Sequence, residues 1–226
     1  MPYPCWLCDA DLLETETEAV CSFCGQVQPV DYICPNGHVL CEDCQLAEPV
    51  EIIARVCEGT EERDPGLIAN LIMKHPGFAL HGPHHHGLIA PAVLAALTNR
   101  GQYPRRSGRA AAARDRTVDI PLAACGSRGE CGAAVSVGAL VSILTKATYL
   151  KDRERSLALQ ATAEALMTIA KAGGPRCCKQ STYISLEIAS AFLERELGIA
   201  MPLTLRCAFS DQDEACKHEA CPYYEA

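Results

Sequence analysis

The chain has 226 residues, enough for a small metal-binding module and one further domain with a hydrophobic core. Hydrophobic residues make up 49% of the sequence, which excludes a disordered chain, and the net charge of −8 disfavours nucleic acid as the main partner. The charge is uneven: residues 1–64 hold 14 acidic side chains against two arginines, and the rest of the chain is slightly basic. Two modules of opposite charge are therefore expected.

The beginning of the chain predicts neither export nor membrane insertion. The residues MPYPCWLC contain no basic region followed by an apolar one. The longest apolar stretch, residues 133–144, is interrupted by Ser136, Gly138 and Ser142 and is too short for a bilayer. Fifteen cysteines in such a chain indicate a reducing compartment and metal binding, and an odd number cannot all form disulfides. We therefore expect a cytoplasmic protein that does not enter a membrane.

Four pairs of metal ligands follow one another within the first 44 residues. They are Cys5 and Cys8, Cys21 and Cys24, Cys34 and His38, and Cys41 and Cys44. A spacer of two or three residues lets both side chains of a pair bind one metal ion, and eight ligands suffice for two tetrahedral zinc sites. Consecutive pairs can share a zinc ion. Alternatively, the first pair joins the third and the second joins the fourth in a cross-brace, and the spacing leaves both arrangements open.

The predicted fold class is mainly α with little β, in which a small zinc-knuckle module precedes a helical domain. Residues 1–48 should form the zinc-binding module, with knuckles, turns and a strand at 27–33. Residues 49–65 should form a short helix, with Cys57 as a buried thiol, and a polar linker. The helical domain should comprise residues 66–226.

Hydrophobic periodicity and helix stop signals divide the predicted helical domain. Helices are expected at 66–74, 83–99, 105–116, 133–149, 155–171 and 183–197. The helix at 133–149 is apolar on nearly every side and should be buried at the centre of the domain, where its small residues permit close helix contacts. The tail from Leu203 onwards should be irregular.

Seven more cysteines lie at predicted loops and helix ends of this domain. They are Cys125, Cys131, Cys177, Cys178, Cys207, Cys216 and Cys221. Because an iron–sulfur cluster needs up to four thiolates, these residues could converge on one, and the alternatives are a third zinc ion or packing as small buried side chains. Cys125, Cys207, Cys216 and Cys221 are the expected cofactor ligands.

Cys131, Cys177 and Cys178 are the predicted central thiols, because helix N-termini favour the thiolate. Three nearby cations are expected to stabilise thiolates or to bind an anionic substrate or cofactor. They are Arg128, Arg176 and Lys179. In the segment HGPHHHG, residues 81–87, His85 and His86 are predicted metal ligands or proton carriers; the alternative is a solvated polar loop.

Several segments resemble an uncharacterised, cysteine-rich family of domains of unknown function from methanogenic archaea and other anaerobes. They are CPNGHVLCEDC, HGPHHHGLIAPAVLAAL, CGAAVSVGALVSIL, GGPRCCK and the final CPYY. The resemblance extends over nearly the whole chain. Some members are joined to S-adenosylmethionine-dependent methyltransferase or radical domains, which implies a partner enzyme of that kind.

These observations favour a cytoplasmic metalloprotein of anaerobic metabolism. It would combine structural zinc with a cysteine and histidine pocket, containing an iron–sulfur cluster or reactive thiols, for redox, sulfur-transfer or cofactor-maturation chemistry. The sequence leaves open whether the protein is an enzyme, because it contains no P-loop, dinucleotide-binding, serine-hydrolase or zinc-protease motif. The alternative is a non-enzymatic zinc-binding adaptor that docks a partner enzyme.

Overall fold

The computed structural model describes residues 4–225 and confirms a mainly helical fold with a small cysteine-rich module at its start. Residues 1–3 and 226, at the outer ends of the predicted first and last segments, lie outside the described residues. Strands β1 (Leu13–Val20) and β2 (Val27–Ile33) form one antiparallel hairpin. β2 coincides with the predicted strand. β1, with the sequence LETETEAV, is exposed on both faces, so no apolar alternation marks it.

Helices account for most of the remaining regular structure. The α-helices in residues 4–225 are α1 (Glu42–Gln45), α2 (Pro49–Gly59), α3 (Pro65–Met73), α4 (Ile89–Asn99), α5 (Arg109–Arg114), α6 (Ala124–Ser127), α7 (Gly132–Thr145), α8 (Asp152–Ala172) and α9 (Cys178–Leu197). Short 3-10 turns occupy Pro83–Gly87, Asp115–Thr117, Ser210–Gln212 and His218–Ala220. No helix in this described part of the chain combines the length and apolar character needed to cross a membrane.

Prolines determine where several helices begin. Pro49 and Pro65 occupy the first position of α2 and α3, where a missing N–H costs nothing. The carboxylate of Asp64 caps α3 by accepting a hydrogen bond from the N–H of Gly66 at 2.8 Å. The helix predicted over 83–99, with Pro91 as a residue that kinks it or delays its start, begins only at Ile89, after a 3-10 turn. Pro91 fits within the first turn of α4, whereas in the middle of a longer helix it would remove a hydrogen bond.

α7 is the central buried helix that its composition predicts. Its small side chains bring α8 very close: a Cβ on Gly138 would lie 2.0 Å from Oγ1 of Thr162 and 2.7 Å from the carbonyl oxygen of Ala158. The buried hydroxyl of Ser136 accepts a hydrogen bond from the N–H of Ala90 at 3.1 Å. This bond satisfies a donor at the start of α4, where no helical partner exists.

One hydrophobic core extends from the cysteine-rich module to the tail. Ile52, Ile53 and Val56 of α2 are fully buried, and α2 packs against α3, α4 and α5. The division of the chain into domains at residues 48 and 65 stays a prediction. The buried side chains of α2 belong to the same core as those of the later helices. The tail after α9 is irregular as predicted, with an isolated bridge between Cys207 and Tyr224. Its main buried side chains are Phe209 and Tyr223.

Candidate metal sites and a thiol-lined chamber

The eight predicted zinc ligands form two clusters that are interleaved along the chain. The first cluster consists of Cys5, Cys8, Cys34 and His38, and the second of Cys21, Cys24, Cys41 and Cys44. Within each cluster the four ligand atoms lie within 4.8 Å of one another, so each can hold a metal ion. The arrangement is therefore the cross-brace and not the sequential one.

The β-hairpin explains this pairing. The knuckle that contains Cys21 and Cys24 forms the turn between β1 and β2. Leu13 at the start of β1 pairs with Ile33 at the end of β2. The returning strand therefore delivers Cys34 to the segment that contains the first ligand pair, and the second pair is left at the far end of the hairpin for Cys41 and Cys44.

The first cluster has the dimensions of a tetrahedral site. Sγ of Cys8 lies 3.4 Å from Sγ of Cys34, and Nδ1 of His38 lies 3.5 Å from Sγ of Cys5. Metal–sulfur bonds of about 2.3 Å place tetrahedral sulfurs about 3.8 Å apart. Asn36 donates its backbone N–H to Cys34 and its side-chain N–H to Cys8, each at 3.3 Å. The side-chain bond is the main cause that lowers the pKa of Cys8 to about 6 and thus favours the ligating thiolate.

The second cluster is more deeply buried. Sγ of Cys24 lies 3.7 Å from Sγ of Cys41. Sγ of Cys41 also accepts a hydrogen bond from the backbone N–H of Cys44 at 3.3 Å. Burial raises the pKa of Cys44 and raises that of Cys41 to about 11. Burial acts in the same direction on Cys21, but surrounding backbone N–H groups outweigh it and lower the pKa of that thiol. Metal binding must displace protons here, so metal affinity should increase with pH.

The second cluster rests directly on the helical core. A Cβ on Gly59, at the end of α2, would lie 1.9 Å from the carbonyl oxygen of Cys24. Nε2 of His75 lies 2.7 Å from the carbonyl oxygen of Cys44, and its ring packs edge-on against Phe23 with centroids 5.5 Å apart. His75 was not among the site residues predicted from the sequence. Its burial could have been predicted from the sequence, because His75 follows the buried Ile68 and Ile72 at helical spacing.

A second group of predicted residues lines one chamber of about 240 Å³ between the turn Pro83–Gly87, α7 and α9. The reactive side chains in its wall are Cys125, Cys131, Cys177, Cys178, His85, His86 and Arg176. They come from three stretches that are distant in sequence. The structure thus brings these side chains together, whereas their catalytic or cofactor-binding roles stay predictions.

Cys177 and Cys178 occupy different positions at the start of α9. Cys177 is the N-cap and Cys178 is the first helical residue. The helix N-terminus predicts a lowered pKa for Cys178, and this prediction is wrong. Burial raises its pKa and outweighs the N–H of Gly82 and the charge of Arg176, while the thiol of Cys131 acts in the same direction as burial. The helix terminus and the cation fail to dominate because the sulfur lies inside the wall and not at an open helix end.

The histidine-rich turn divides its side chains between the chamber and the tail. His85 is 2% exposed, and burial lowers its pKa to about 3, so the ring is neutral near pH 7. Nδ1 of His86 is buried and has no hydrogen-bond partner among residues 4–225. The ring of His86 fills the space that a Cβ on Gly132 would need, 2.2 Å from its Cγ. His81 instead faces the tail, with Nε2 3.1 Å from a carboxylate oxygen of Asp213.

Two predicted cations lie away from the chamber wall. Arg128 is half-exposed and pairs with Glu130 at 3.3 Å. Lys179 is buried and donates a hydrogen bond from Nζ to the carbonyl oxygen of Leu80 at 2.6 Å. Lys179 also lies 5.7 Å from the centre of the Phe209 ring, so it joins the histidine-rich turn to the tail.

The remaining predicted cofactor ligands surround a second, smaller cavity, here called the tail cavity. Its wall contains Cys177, Cys207, Cys216 and Cys221, and its volume is about 30 Å³. Tyr183 also lines it and donates a hydrogen bond to Oδ1 of Asn70 at 2.6 Å. The amide of Asn70 in turn binds the carbonyl oxygen of Arg206 at 3.0 Å, which fixes the beginning of the tail. Neither Tyr183 nor Asn70 was among the site residues predicted from the sequence.

Together these features define a helical, cysteine-rich protein whose first segment contains two Cys/His clusters that could hold metal ions. More particularly, the chain belongs to DUF5714, a family of unknown function, which matches residues 53–224. Membership of a family of unknown function is thereby confirmed, whereas the predicted distribution among anaerobes and the fused domains stay predictions. The match includes the chamber and the tail cavity and leaves out both interleaved clusters. No curated protein and no solved structure matches the chain.

Proposed function

We propose that this protein is a cytoplasmic metalloprotein of anaerobic metabolism that performs thiol chemistry in the chamber. Two zinc ions would hold the N-terminal module, and the helical part would provide cysteines for redox, sulfur-transfer or cofactor-maturation reactions. A methyltransferase or radical enzyme is the proposed partner. The single observation that supports this proposal is the convergence of four cysteines and two histidines on one chamber.

The residues around the chamber suggest separate roles in substrate binding and in thiol chemistry. Its volume of about 240 Å³ admits a small substrate or a protruding group of a larger one. Arg176 supplies a positive charge at the wall, where it would bind an anionic group. The ring of His85 stays neutral near pH 7 and would position a substrate by hydrogen bonding, and the unpaired Nδ1 of His86 can bind a metal or a substrate donor. Cys131 and Cys178 are the proposed central thiols.

Zinc is the proposed metal of the two clusters because of their ligands and dimensions. Four sulfurs, or three sulfurs and one imidazole nitrogen, in a closed tetrahedron are typical of structural zinc. A closed ligand set leaves no position for a substrate. The zinc ions would therefore stabilise the module, while the chemistry takes place in the chamber.

The experiment maps chamber thiols in the full chain, purified without oxygen. The protein is exposed to a small polysulfide, and adducts are located by peptide mass spectrometry, with the buried and remote Cys57 as internal control. Adducts should form on Cys131, Cys177 or Cys178, and either Cys131→Ser or Cys178→Ser should reduce them roughly tenfold. Adducts restricted to the exposed Cys125, or absent from the chamber, would contradict the proposed chemistry.

A groove on the cysteine-rich module favours a second candidate, the non-enzymatic adaptor. The groove has a volume of about 450 Å³, and its wall includes Trp6, Leu12, Val30 and Tyr32. Trp6 and Tyr32 are 41% and 46% exposed, and exposed aromatic side chains are typical of protein interfaces. The adaptor predicts that a Trp6→Ala and Tyr32→Ala double variant loses partner binding and keeps both zinc ions. It also predicts inert chamber thiols, which separates it from the first proposal.

A further inference from the structure

We propose that Cys177, Cys207, Cys216 and Cys221 bind one iron–sulfur cluster of four irons and four sulfides in the tail cavity. This inference goes beyond the proposed function, which places zinc ions in the N-terminal module and reactive thiols in the chamber. The tail cavity is a site separate from the chamber, although Cys177 lines both. Its wall contains the four cysteines that such a cluster requires, and its volume of about 30 Å³ excludes an organic substrate.

Hydrogen bonds to the sulfurs provide the first argument. The backbone N–H of Gln180 donates to Cys177 and that of His218 donates to Cys216, each at 3.4 Å. The side-chain amide of Gln180 donates to Cys221 at 3.6 Å. Gln180 is itself buried, so its amide is aimed at this sulfur by its surroundings. Such N–H donors stabilise ligating thiolates and adjust cluster potentials.

The same hydrogen-bond geometry occurs in the two interleaved clusters of this chain. The N–H of Asn36 donates to Cys34, two residues earlier, as the N–H of His218 does to Cys216. In the second cluster, an N–H three residues after Cys41 donates to its sulfur, which matches the bond from Gln180 to Cys177. The tail cavity therefore repeats the local backbone arrangement of metal knuckles.

The spacing of the tail-cavity sulfurs does not suit a third zinc ion. Among the described residues, ligand atoms within 4.8 Å of one another form only the two interleaved groups, so no three tail-cavity sulfurs are that close. A zinc ion needs all four sulfurs about 3.8 Å apart. In a four-iron cluster each thiolate binds its own iron atom, so the sulfurs stand farther apart.

Nearby cations suit a negatively charged cluster. The ammonium of Lys217 donates to Oε1 of Gln180 at 3.1 Å and to the carbonyl oxygen of Ala172 at 2.9 Å. It therefore orients the amide that faces Cys221. Lys179 provides a second cation: it is buried two residues after Cys177, and its Nζ lies 5.7 Å from the ring centre of Phe209, which follows Cys207 by two residues. These cations would offset the charge of four thiolates.

A cluster would also explain how the tail is held in place. Three of the four ligands lie in the irregular tail, which buries few apolar side chains, and the fourth caps α9. A metal group that joins them would close this segment onto the helical core, and its binding free energy would add to the stability of the fold. Cys178 lines the chamber and not the tail cavity, so it would remain a free thiol next to the cluster.

The test uses the full chain without oxygen. Equal amounts of ferrous and ferric iron are added with sulfide, because this mixture supplies the charge of the oxidised cluster, and four cysteine protons are released to solvent. We expect about four iron and four sulfide per chain, with broad visible absorption. Cys207→Ala, Cys216→Ala and Cys221→Ala should each reduce bound iron roughly fivefold or more. The matched controls Cys125→Ala and Cys178→Ala should keep it, and the zinc content should stay unchanged.

A second measurement on the parent protein covers the case in which the tail variants misfold. Alkylation followed by peptide mass spectrometry should find Cys207, Cys216 and Cys221 protected in the loaded protein and modified after iron chelation. A third zinc ion without sulfide, or iron that survives all three tail substitutions, would overturn the proposal. If no cluster forms but polysulfide adducts still appear on Cys178, the proposed function stands without the cluster. If the cluster forms but the chamber thiols are inert to polysulfide, the cluster proposal stands and the proposed thiol chemistry fails.

Discussion

Nε2 of His75 lies 2.7 Å from the carbonyl oxygen of Cys44, and this contact joins the cysteine-rich module to the helical core. The N–H of Gly77 donates to Nδ1 of the same ring at 3.1 Å, so the proton must be on Nε2. Burial lowers the pKa of His75, which keeps the ring in this neutral form. One hydrogen bond therefore links the segment that follows α3 to Cys44, a candidate metal ligand of the second cluster.

Replacing His75 should weaken this contact. His75→Ala leaves the carbonyl of Cys44 with only backbone donors such as the N–H of Ala47, and removes the acceptor of the Gly77 N–H. The loss of these two hydrogen bonds should cost about 1–3 kcal/mol in the free energy of unfolding. Urea denaturation of the metal-loaded chain measures the cost. The exposed His218 provides the control, and His218→Ala should change stability little. Equal stabilities of the two variants would mean that the module docks through other contacts.

Double substitutions distinguish the cross-brace from sequential pairing. Cys5→Ser with Cys34→Ser removes two ligands of one cluster, so one zinc ion should remain per chain in native mass spectrometry. Cys5→Ser with Cys21→Ser removes one ligand from each cluster and should lower the zinc content more. Sequential pairing predicts the opposite order, because Cys5 and Cys21 would then share a metal ion and Cys34 would belong to the other.

Close packing of α7 and α8 should make Gly138 intolerant of a methyl group. In Gly138→Ala the new Cβ would meet Thr162 and the backbone of Ala158, so α8 must move, at an expected cost of about 1–3 kcal/mol. Thermal denaturation provides the measurement. Gly126→Ala is the control, since a Cβ there meets no atom within 4 Å. A melting temperature as high as that of the control would contradict the observed helix contact.

Gly132→Ala should alter the chamber and spare the metal clusters. The added Cβ would collide with the ring of His86, and the ring must therefore turn into or away from the chamber. The rate of polysulfide addition to Cys178 should change severalfold, while two zinc ions remain bound. An unchanged rate would place His86 outside the reaction, even though its ring lines the chamber.

Stability should fall as the pH falls below about 6.5, the pKa of an unfolded histidine. Because burial lowers the pKa of His85 to about 3 in the folded protein, the unfolded chain binds more protons between these two values. The contribution of His85 is complete above pH 6.5 and decreases by about 1 kcal/mol between pH 6.5 and 5.5. Urea midpoints of the metal-loaded parent and of His85→Asn across this range measure it. The variant should lose less stability, and parallel pH curves would contradict the prediction.

The sequence by itself determined the features that depend on neighbours along the chain. A spacer of two or three residues predicts that Cys5 and Cys8 share a metal ion, as do Cys34 and His38, because both side chains of such a pair reach one metal. The apolar composition of residues 133–149 likewise predicts α7 and its burial, since a helix that is apolar on nearly every side must be enclosed.

Only the tertiary structure decided which distant groups meet. The hairpin of β1 and β2 selected the cross-brace, although the spacing allowed both pairings. Packing also separated Cys177 from Cys178, which are adjacent in sequence, so that one reaches the tail cavity and the other does not. His75 acquired its role because the end of α3 lies against the second cluster. Local spacing limits what a side chain can reach along its own segment, whereas strand pairing and the burial of apolar surface between elements fix which segments lie side by side.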